Sequence, residues 1–131
     1  MRDWAYTVSM IRVFTSKTQA TGEKGEEASA AFLEKAGYRI VERNANNKYG
    51  EIDIVAKFRN THYFFEVKAG KSGGFINPAE NLTKAKLRKF LISVEHYALV
   101  HGIRDYRAQG IIVLLPQKPD GEAKVEIMDL Y

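Results

Sequence analysis

GEIDIV at residues 50–55 and FEVK at residues 65–68 are the two stretches that decide the fold of this chain. Each is apolar in the manner of a strand, yet each carries a carboxylate where packing favours an apolar side chain. Side chains two residues apart on a strand point to the same face of the sheet, so Glu66 and Lys68 share a face. Asp53 joins them if the two strands pair. Two carboxylates and an ammonium group that meet at a sheet edge suit a divalent metal ion that assists phosphodiester cleavage.

The short connection between these stretches predicts how they pair. Residues 51–58 and 61–68 are the best strand candidates, and only Arg59 and Asn60 separate them. A connection of this length favours an antiparallel hairpin. Asp53 is therefore expected beside the strand that carries FEVK.

Apolar periodicity and turn residues predict the remaining elements. In chain order these are a helix at 23–36 ended by Gly37, a strand at 38–43, a polar turn at 44–50, a glycine-rich loop at 69–79, a helix at 79–101, and strands at 110–115 and 124–128. The order αβββαββ indicates an α/β fold of the layered α+β kind, with a mixed β-sheet and flanking helices. Residues 21–131 are expected to form a single domain, and residues 1–20 an N-terminal extension of uncertain structure with a docking role.

Composition bounds the class of protein. The chain has 131 residues, enough for one domain with its own core, and it has no cysteine, which excludes disulfides and thiolate-bound zinc. The lack of cysteine is compatible with a reducing cytosol, and we expect a cytoplasmic protein. No apolar run is long enough to span a membrane, so no membrane partner is expected. The formal net charge of +4 favours an anionic partner.

The carboxylate cluster predicts a catalytic metal site. Asp53 and Glu66 are the candidate ligands for Mg²⁺ or Mn²⁺, because Mg²⁺ binds hard oxygen atoms and keeps several waters, so that one or two carboxylates are enough. The backbone carbonyl of Val67 is a candidate third ligand. Lys68 would orient or deprotonate the attacking water and stabilise negative charge. Glu26, in the opening turn of the first helix, would bind the metal or one of its waters if that helix end meets the sheet edge.

A second interpretation of the same residues involves no chemistry. In this view Glu66 and Lys68 are an exposed ion pair that contributes well under ~1 kcal/mol to stability. The spacing Asp-x(12)-Glu-x-Lys is also loose enough to arise by chance. The apolar neighbours in FFEV at residues 64–67 favour the metal site, because a lone charge on a strand buried on both faces is costly unless it is paired or binds a metal.

Basic residues near the second helix are candidates for contact with phosphate. Four cations lie between residues 84 and 89, and Lys86 and Lys89 are neighbours on a helix surface. The predicted nucleic-acid contacts are Lys84, Lys86, Lys89 and, beside the glycine-rich loop, Lys71. A solvated helix face is the alternative for the helical lysines.

The chain resembles a known family in the order and identity of its motifs. These are GEEA at 25–28, FL at 32–33, GY at 37–38, RN at 43–44, GEIDIVA at 50–56, FEVK at 65–68, Pro78, Asn81 and KL at 86–87. Together they resemble the bacterial YraN-like family. That family is largely uncharacterised, is grouped with the restriction-endonuclease-like PD-(D/E)xK nucleases, and is similar to archaeal Holliday-junction resolvases.

The resemblance implies a restriction-endonuclease-like core with its active site at the sheet edge. It assigns Glu26, Asp53, Glu66 and Lys68 to that site, with Lys86 as a further basic position beside it. It also implies DNA, branched or damaged DNA in particular, as substrate and partner, and a homodimer, because two strands must be cut at a junction.

Three functions stand as hypotheses. The first is a metal-dependent endonuclease that hydrolyses DNA phosphodiester bonds. The second is a non-catalytic nucleic-acid-binding module in which the same cluster binds metal weakly or not at all. The third is a scaffold subunit whose N-terminal arm contacts a partner.

Overall fold

The computed structural model describes residues 6–12, 21–71, 83–118 and 121–130, which form one six-stranded sheet and two helices. In chain order the elements are β1 (Tyr6–Arg12), α1 (Thr21–Lys35), β2 (Arg39–Asn47), β3 (Gly50–Phe58), β4 (Thr61–Lys71), α2 (Lys84–His101), β5 (Tyr106–Leu115) and β6 (Glu122–Asp129). The strands lie in the order β1-β6-β5-β4-β3-β2. All neighbours are antiparallel except β4 and β5, whose parallel pairing requires the crossover that α2 supplies.

The two helices cover opposite faces of the sheet. Helix α1 buries Leu33 in a cluster with Phe65 of β4, and helix α2 buries Val94 in a cluster with Phe64 of the same strand. Because adjacent side chains of a strand point to opposite faces, the two clusters form separate layers, and the predicted layered α+β fold is confirmed. Neither helix in the described part of the chain is long and apolar enough to cross a membrane.

Helix α1 approaches the sheet closely at Gly25. This glycine is buried, and a Cβ placed on it would overlap the Cβ of Ala69 on β4. Only a hydrogen atom at this position lets the helix backbone lie against the strand. One turn later the buried hydroxyl of Ser29 donates a hydrogen bond to the Gly25 carbonyl at 2.8 Å. The contact fixes the first turns of α1, including Glu26, next to the β4 strand.

The predicted order of elements is confirmed, with one strand added before it. Strands β3 and β4 form the predicted antiparallel hairpin. Strand β1 lies within the extension of uncertain structure at residues 1–20, and pairs with β6 from Tyr6 opposite Met128 onward. Residues 1–5 and 13–20 lie outside the described residues, and the docking role of the extension stays a prediction.

Two predicted loops are too long, because backbone pairing continues past the turn signals. The polar turn predicted at 44–50 shortens to Lys48 and Tyr49, since β2 pairs with β3 as far as Asn47 opposite Gly50. The loop predicted at 69–79 loses its first residues to β4, which pairs with β5 as far as Lys71. Turn-forming residues set a preference, and a neighbouring strand overrides it.

Two further boundaries differ from the prediction. The second helix begins at Lys84 rather than near Ala79, because Thr83 has an extended backbone and its hydroxyl accepts a hydrogen bond from Lys86 N at 3.2 Å, as an N-cap does. Strand β5 begins at Tyr106 rather than Gly110. The remainder of the predicted loop and the first predicted turn of the helix, residues 72–82, lie outside the described residues.

The close approach at Gly25 predicts a reversal of ordinary helix propensity. Glycine to alanine inside a helix normally stabilises by up to ~1 kcal/mol. We expect Gly25→Ala instead to destabilise by about 1–3 kcal/mol, because the added methyl group overpacks the contact with Ala69. Thermal denaturation followed by circular dichroism measures the change.

The matched control reverses the two side chains. In the Ala69→Gly background the added methyl group has room, so Gly25→Ala should no longer lower the melting temperature. A single Gly25→Ala variant as stable as the wild type would show that α1 does not lie this close to β4.

Candidate metal-binding site

The sheet forks between β3 and β4. Their ladder of paired residues ends at Ile54 opposite Phe65, and the next two residues are Asp53 and Glu66. Beyond this point β3 continues along β2, and β4 continues along β5. Backbone groups that face the opening need other hydrogen-bond partners, because unpaired polar groups are costly to bury.

The side chain of Asp53 bridges the fork. Its Oδ2 accepts a hydrogen bond from the backbone N–H of Val67 at 2.7 Å. A carboxylate thus takes the place of a backbone acceptor and is held in one orientation across the gap. The N–H and C=O of one strand residue point toward the same neighbour, so the Val67 carbonyl predicted as a ligand also faces the fork.

Burial and the neighbouring carboxylates together raise the pKa of Asp53 to about 7. Burial is the largest cause, because it disfavours the charged form. A hydrogen bond with the Glu51 side chain and the negative charges of Glu66 and Glu26 act in the same direction, and the Val67 N–H opposes them. A cation bound at this position would stabilise the charged form of Asp53 and offset the repulsion between the carboxylates.

Glu66 and Lys68 form the predicted pair on one face. Glu66 Oε1 lies 3.7 Å from Lys68 Nζ, and the Glu66 side chain is only 20% exposed. Burial raises the pKa of Glu66, while the charges of Lys68 and of Lys86 on α2 lower it. The interpretation as a solvated surface pair does not describe this geometry.

Glu26 reaches the same region from α1. With the Asn44 amide assigned the orientation that satisfies both of its polar atoms, its nitrogen donates to Glu26 Oε1 at 2.9 Å and to Glu51 Oε1 at 3.2 Å. Asn44 lies opposite Asp53 on β2, and its φ of 53° is in the left-handed region that asparagine tolerates. Burial raises the pKa of Glu26, and the negative charge of Glu51 raises it further. The positive charge of Arg43 and the hydrogen bond from the Asn44 amide lower it.

Glu51 and Asn44 are site residues that sequence analysis did not nominate. Glu51 precedes Asp53 by two residues, so strand periodicity alone places it on the same face. Asn44 was assigned to a polar turn, and its position opposite Asp53 depends on the extended β2 pairing.

A cleft of about 250 Å³ opens between the fork and the first half of α2. Its lining residues are Gly50, Glu51, Asp53, Glu66, Lys86, Lys89, Phe90 and Ser93. Two of the four predicted nucleic-acid contacts, Lys86 and Lys89, therefore face the carboxylates. Lys84 instead lines a groove elsewhere on α2, and Lys71 is exposed at the end of β4.

The donor set fits Mg²⁺ or Mn²⁺ better than a softer metal. Asp53, Glu66 and the Val67 carbonyl offer only hard oxygen atoms, and Mg²⁺ completes its shell with water. Within residues 23–71, 83–118 and 121–130, no three acidic or histidine side chains converge as a ready-made metal cage.

Comparison with known proteins identifies the family. Residues 25–114 match the Uncharacterised protein family UPF0102. A UPF0102 protein of Syntrophus aciditrophicus (strain SB) is 32% identical over 114 residues, 82% of this chain and 84% of that protein. Those of Desulfosudis oleivorans (strain DSM 6200 / JCM 39069 / Hxd3) and Clostridium perfringens (strain 13 / Type A) are 38% identical over 100 residues and 39% identical over 88 residues. These matches cover 76% and 67% of this chain, and 81% and 72% of the respective relatives.

The chain belongs to the UPF0102 family, and its resemblance to the YraN-like proteins is confirmed. The matched segment contains every residue that lines or holds the fork. The family is uncharacterised, so membership brings no activity with it.

The raised pKa of Asp53 predicts a stability that falls as pH rises. An acid whose pKa lies above its unfolded value contributes stability below that unfolded value and loses it as pH rises through the folded pKa. At about pH 8 we expect the free energy of unfolding of Asp53→Asn to exceed that of the wild type by about 1–2 kcal/mol, after allowance for solvent screening. Near pH 4 the two proteins should differ little in stability.

Thermal denaturation in EDTA at several pH values measures this difference. Glu126→Gln, which removes a carboxylate from the ion pair with Lys124 on β6, is the control and should show no such gain at high pH. A constant difference between Asp53→Asn and wild type across the range would show that Asp53 does not titrate near neutrality.

Proposed function

We propose that this member of the UPF0102 family is a metal-dependent endonuclease that hydrolyses DNA phosphodiester bonds, with branched DNA as its preferred substrate. The observation that carries the proposal is the fork, where two half-buried carboxylates, a paired lysine and a cleft lined by two further lysines meet. Residues with perturbed pKa values in a cleft are markers of functional sites.

The fork offers the groups that phosphodiester hydrolysis needs. A Mg²⁺ or Mn²⁺ ion, when bound by Asp53, Glu66 and the Val67 carbonyl, would activate water and neutralise charge on the phosphate. The hydrogen bond from the Val67 N–H holds the Asp53 carboxylate in place beside Glu66. Glu66 in turn positions the Lys68 ammonium at 3.7 Å.

The basic residues around the fork have separate roles in this proposal. Lys68 orients the attacking water and stabilises the negative charge that develops on the phosphate. Lys86 and Lys89 approach from α2 and hold phosphate oxygens in the cleft. Glu26, which Asn44 links to Glu51, would bind the metal ion or one of its waters from the side of α1.

One observation favours a second candidate, a nucleic-acid-binding module without catalysis. The described carboxylates do not form a ready-made metal cage. In that case the lysines of the cleft would bind the backbone, and the carboxylates would limit where it lies. Salt-sensitive DNA binding that is indifferent to Mn²⁺, with no product formed, distinguishes this module from the enzyme.

Metal binding is testable without activity. A ligand that binds only the folded protein stabilises it and raises the melting temperature. The stabilisation grows with the logarithm of the ratio of ligand concentration to dissociation constant. We expect Mn²⁺ to raise the melting temperature of the wild type by a few degrees, about 3–5 °C per kcal/mol of binding. Asp53→Asn and Glu66→Gln should lose the shift, and Glu126→Gln should keep it. Equal shifts in all four proteins would argue against a site at the fork.

Cleavage tests the enzyme directly. With Mn²⁺, we expect the wild type to cut at least one of a four-way junction, a flap, a duplex and a single strand of DNA. Asp53→Asn, Glu66→Gln and Lys68→Met should each slow cutting by about 10²-fold or more, because each removes a group that acts on the reacting phosphate or its metal.

The β6 pair supplies the matched controls. Lys124 and Glu126 form the same kind of ion pair two residues apart, at 3.4 Å, on β6, which β5 separates from β4. Lys124→Met and Glu126→Gln should cut as the wild type does. No cleavage above the Asp53→Asn background on any substrate would refute the proposed activity.

A further inference from the structure

Three basic residues lie side by side across the sheet, on β2, β3 and β4. Arg39 is directly opposite Lys57, and Lys57 is directly opposite His62. Opposite residues of antiparallel strands share a face, so the three side chains form one row. We call this row, Arg39, Lys57 and His62, the cationic ladder.

Within the described part of the chain, neither Arg39 nor Lys57 forms an ion pair with a carboxylate. The charged groups that act on His62 are Lys57, Arg39 and His101, and together with burial they lower its pKa. Like charges placed directly opposite one another destabilise a sheet. A bound anion would turn this repulsion into attraction.

A cavity of about 330 Å³ lies beside the cationic ladder. His62, His101 and Arg104 contribute basic groups to its lining. One wall is the Tyr97 ring, stacked on the His101 ring with centroids 4.0 Å apart. The cavity therefore has room for a phosphate group and basic groups on two sides of it.

Two acidic residues near this cavity are already held by other groups. Asp105 lines the cavity, and its Oδ2 accepts a hydrogen bond from the Thr61 hydroxyl at 3.1 Å. Glu42 accepts one from the Tyr97 hydroxyl at 2.8 Å. Neither forms an ion pair with the cationic ladder.

The cationic ladder and the fork lie on the same face of the sheet. Lys57 is four residues from Asp53 along β3, and His62 is four residues from Glu66 along β4, an offset of roughly 13 Å at the rise of an antiparallel strand. This offset exceeds the ~3.4 Å axial rise per nucleotide of a duplex strand, so the two positions can contact different phosphates of one bound nucleic acid. Arg39 is exposed on the edge strand β2, where a nucleic acid can approach.

We propose that the cationic ladder and its cavity bind a backbone phosphate of the nucleic-acid substrate, other than the phosphate held at the fork. This inference rests on the proposed function, since it takes a nucleic acid as the ligand. Two phosphate contacts a fixed distance apart determine the register of the strand, so that the scissile bond meets the carboxylates.

The test measures DNA binding in EDTA, where no hydrolysis occurs. Arg39→Gln/Lys57→Gln is compared with Lys35→Gln/Arg107→Gln, which removes the same charge from two exposed positions, at the end of α1 and on the α1 face of β5. Fluorescence anisotropy with labelled DNA over a range of salt concentrations gives the affinity and its salt dependence. We expect the ladder variant to bind about 10-fold more weakly or worse, with the slope of log affinity against log salt reduced by about 2, and the control to change little.

Stability and rescue separate a binding role from a structural one. Removing like charges should raise the melting temperature of the ladder variant even as binding weakens, and Arg39→Lys/Lys57→Arg should bind as the wild type does. A lower melting temperature, or equal binding by the ladder and control variants, would overturn the proposal.

Titration with inorganic phosphate distinguishes the source of the anion. NMR signals of the His62 ring should shift with phosphate, and added DNA should displace it. If phosphate binds and DNA does not compete, the site takes a free phosphate compound and the nucleic-acid assignment fails. If DNA binding depends on the cationic ladder but the protein never cuts DNA with Mn²⁺, the proposed phosphate contact stands and only the proposed nuclease activity is refuted.

Discussion

The hydrogen bond from Val67 N–H to Asp53 Oδ2 is the interaction on which the arrangement of this protein depends. It lies where two strands separate, at the point where an antiparallel ladder would otherwise lose its backbone partners. A carboxylate fills the gap, so the separation of the strands and the position of the charge have one cause. The cleft beside α2, the pairing of Glu66 with Lys68 and the approach of α1 are all arranged around this opening.

Charge is concentrated at this opening in a way that does not favour folding. Burial and mutual repulsion raise the pKa of three carboxyl groups, those of Glu26, Asp53 and Glu66. Lys68, Lys86 and the Asn44 amide offset only part of this. Farther along the same face the cationic ladder repels itself instead. This sheet face therefore has carboxylates at one end and basic residues at the other, which suits the metal ion and the phosphate backbone that we propose as its ligands.

The fold was largely predictable because its signals are local. Alternation of apolar residues and the two-residue connection at Arg59 and Asn60 determine the β3–β4 hairpin, and helical periodicity determines α1 and α2. The errors occur where pairing with a neighbouring strand overrides the local preference for a turn or loop. Asn46 and Asn47 are turn residues by preference, yet they pair with β3. Lys71 follows Gly70 in a segment whose glycines predicted a loop, yet it pairs with β5.

Local sequence was enough to predict that Glu66 and Lys68 share a face and that Asp53 lies on the adjacent strand, because side-chain alternation and hairpin length are properties of consecutive residues. The other groups that join them depend on how distant segments pack. Glu51 and Asn44 enter through the register of β2 against β3, and the rotation of α2 brings Lys86 and Lys89 to the cleft while Lys84 lies elsewhere. Register and rotation depend on packing between distant segments, so no local pattern encodes them.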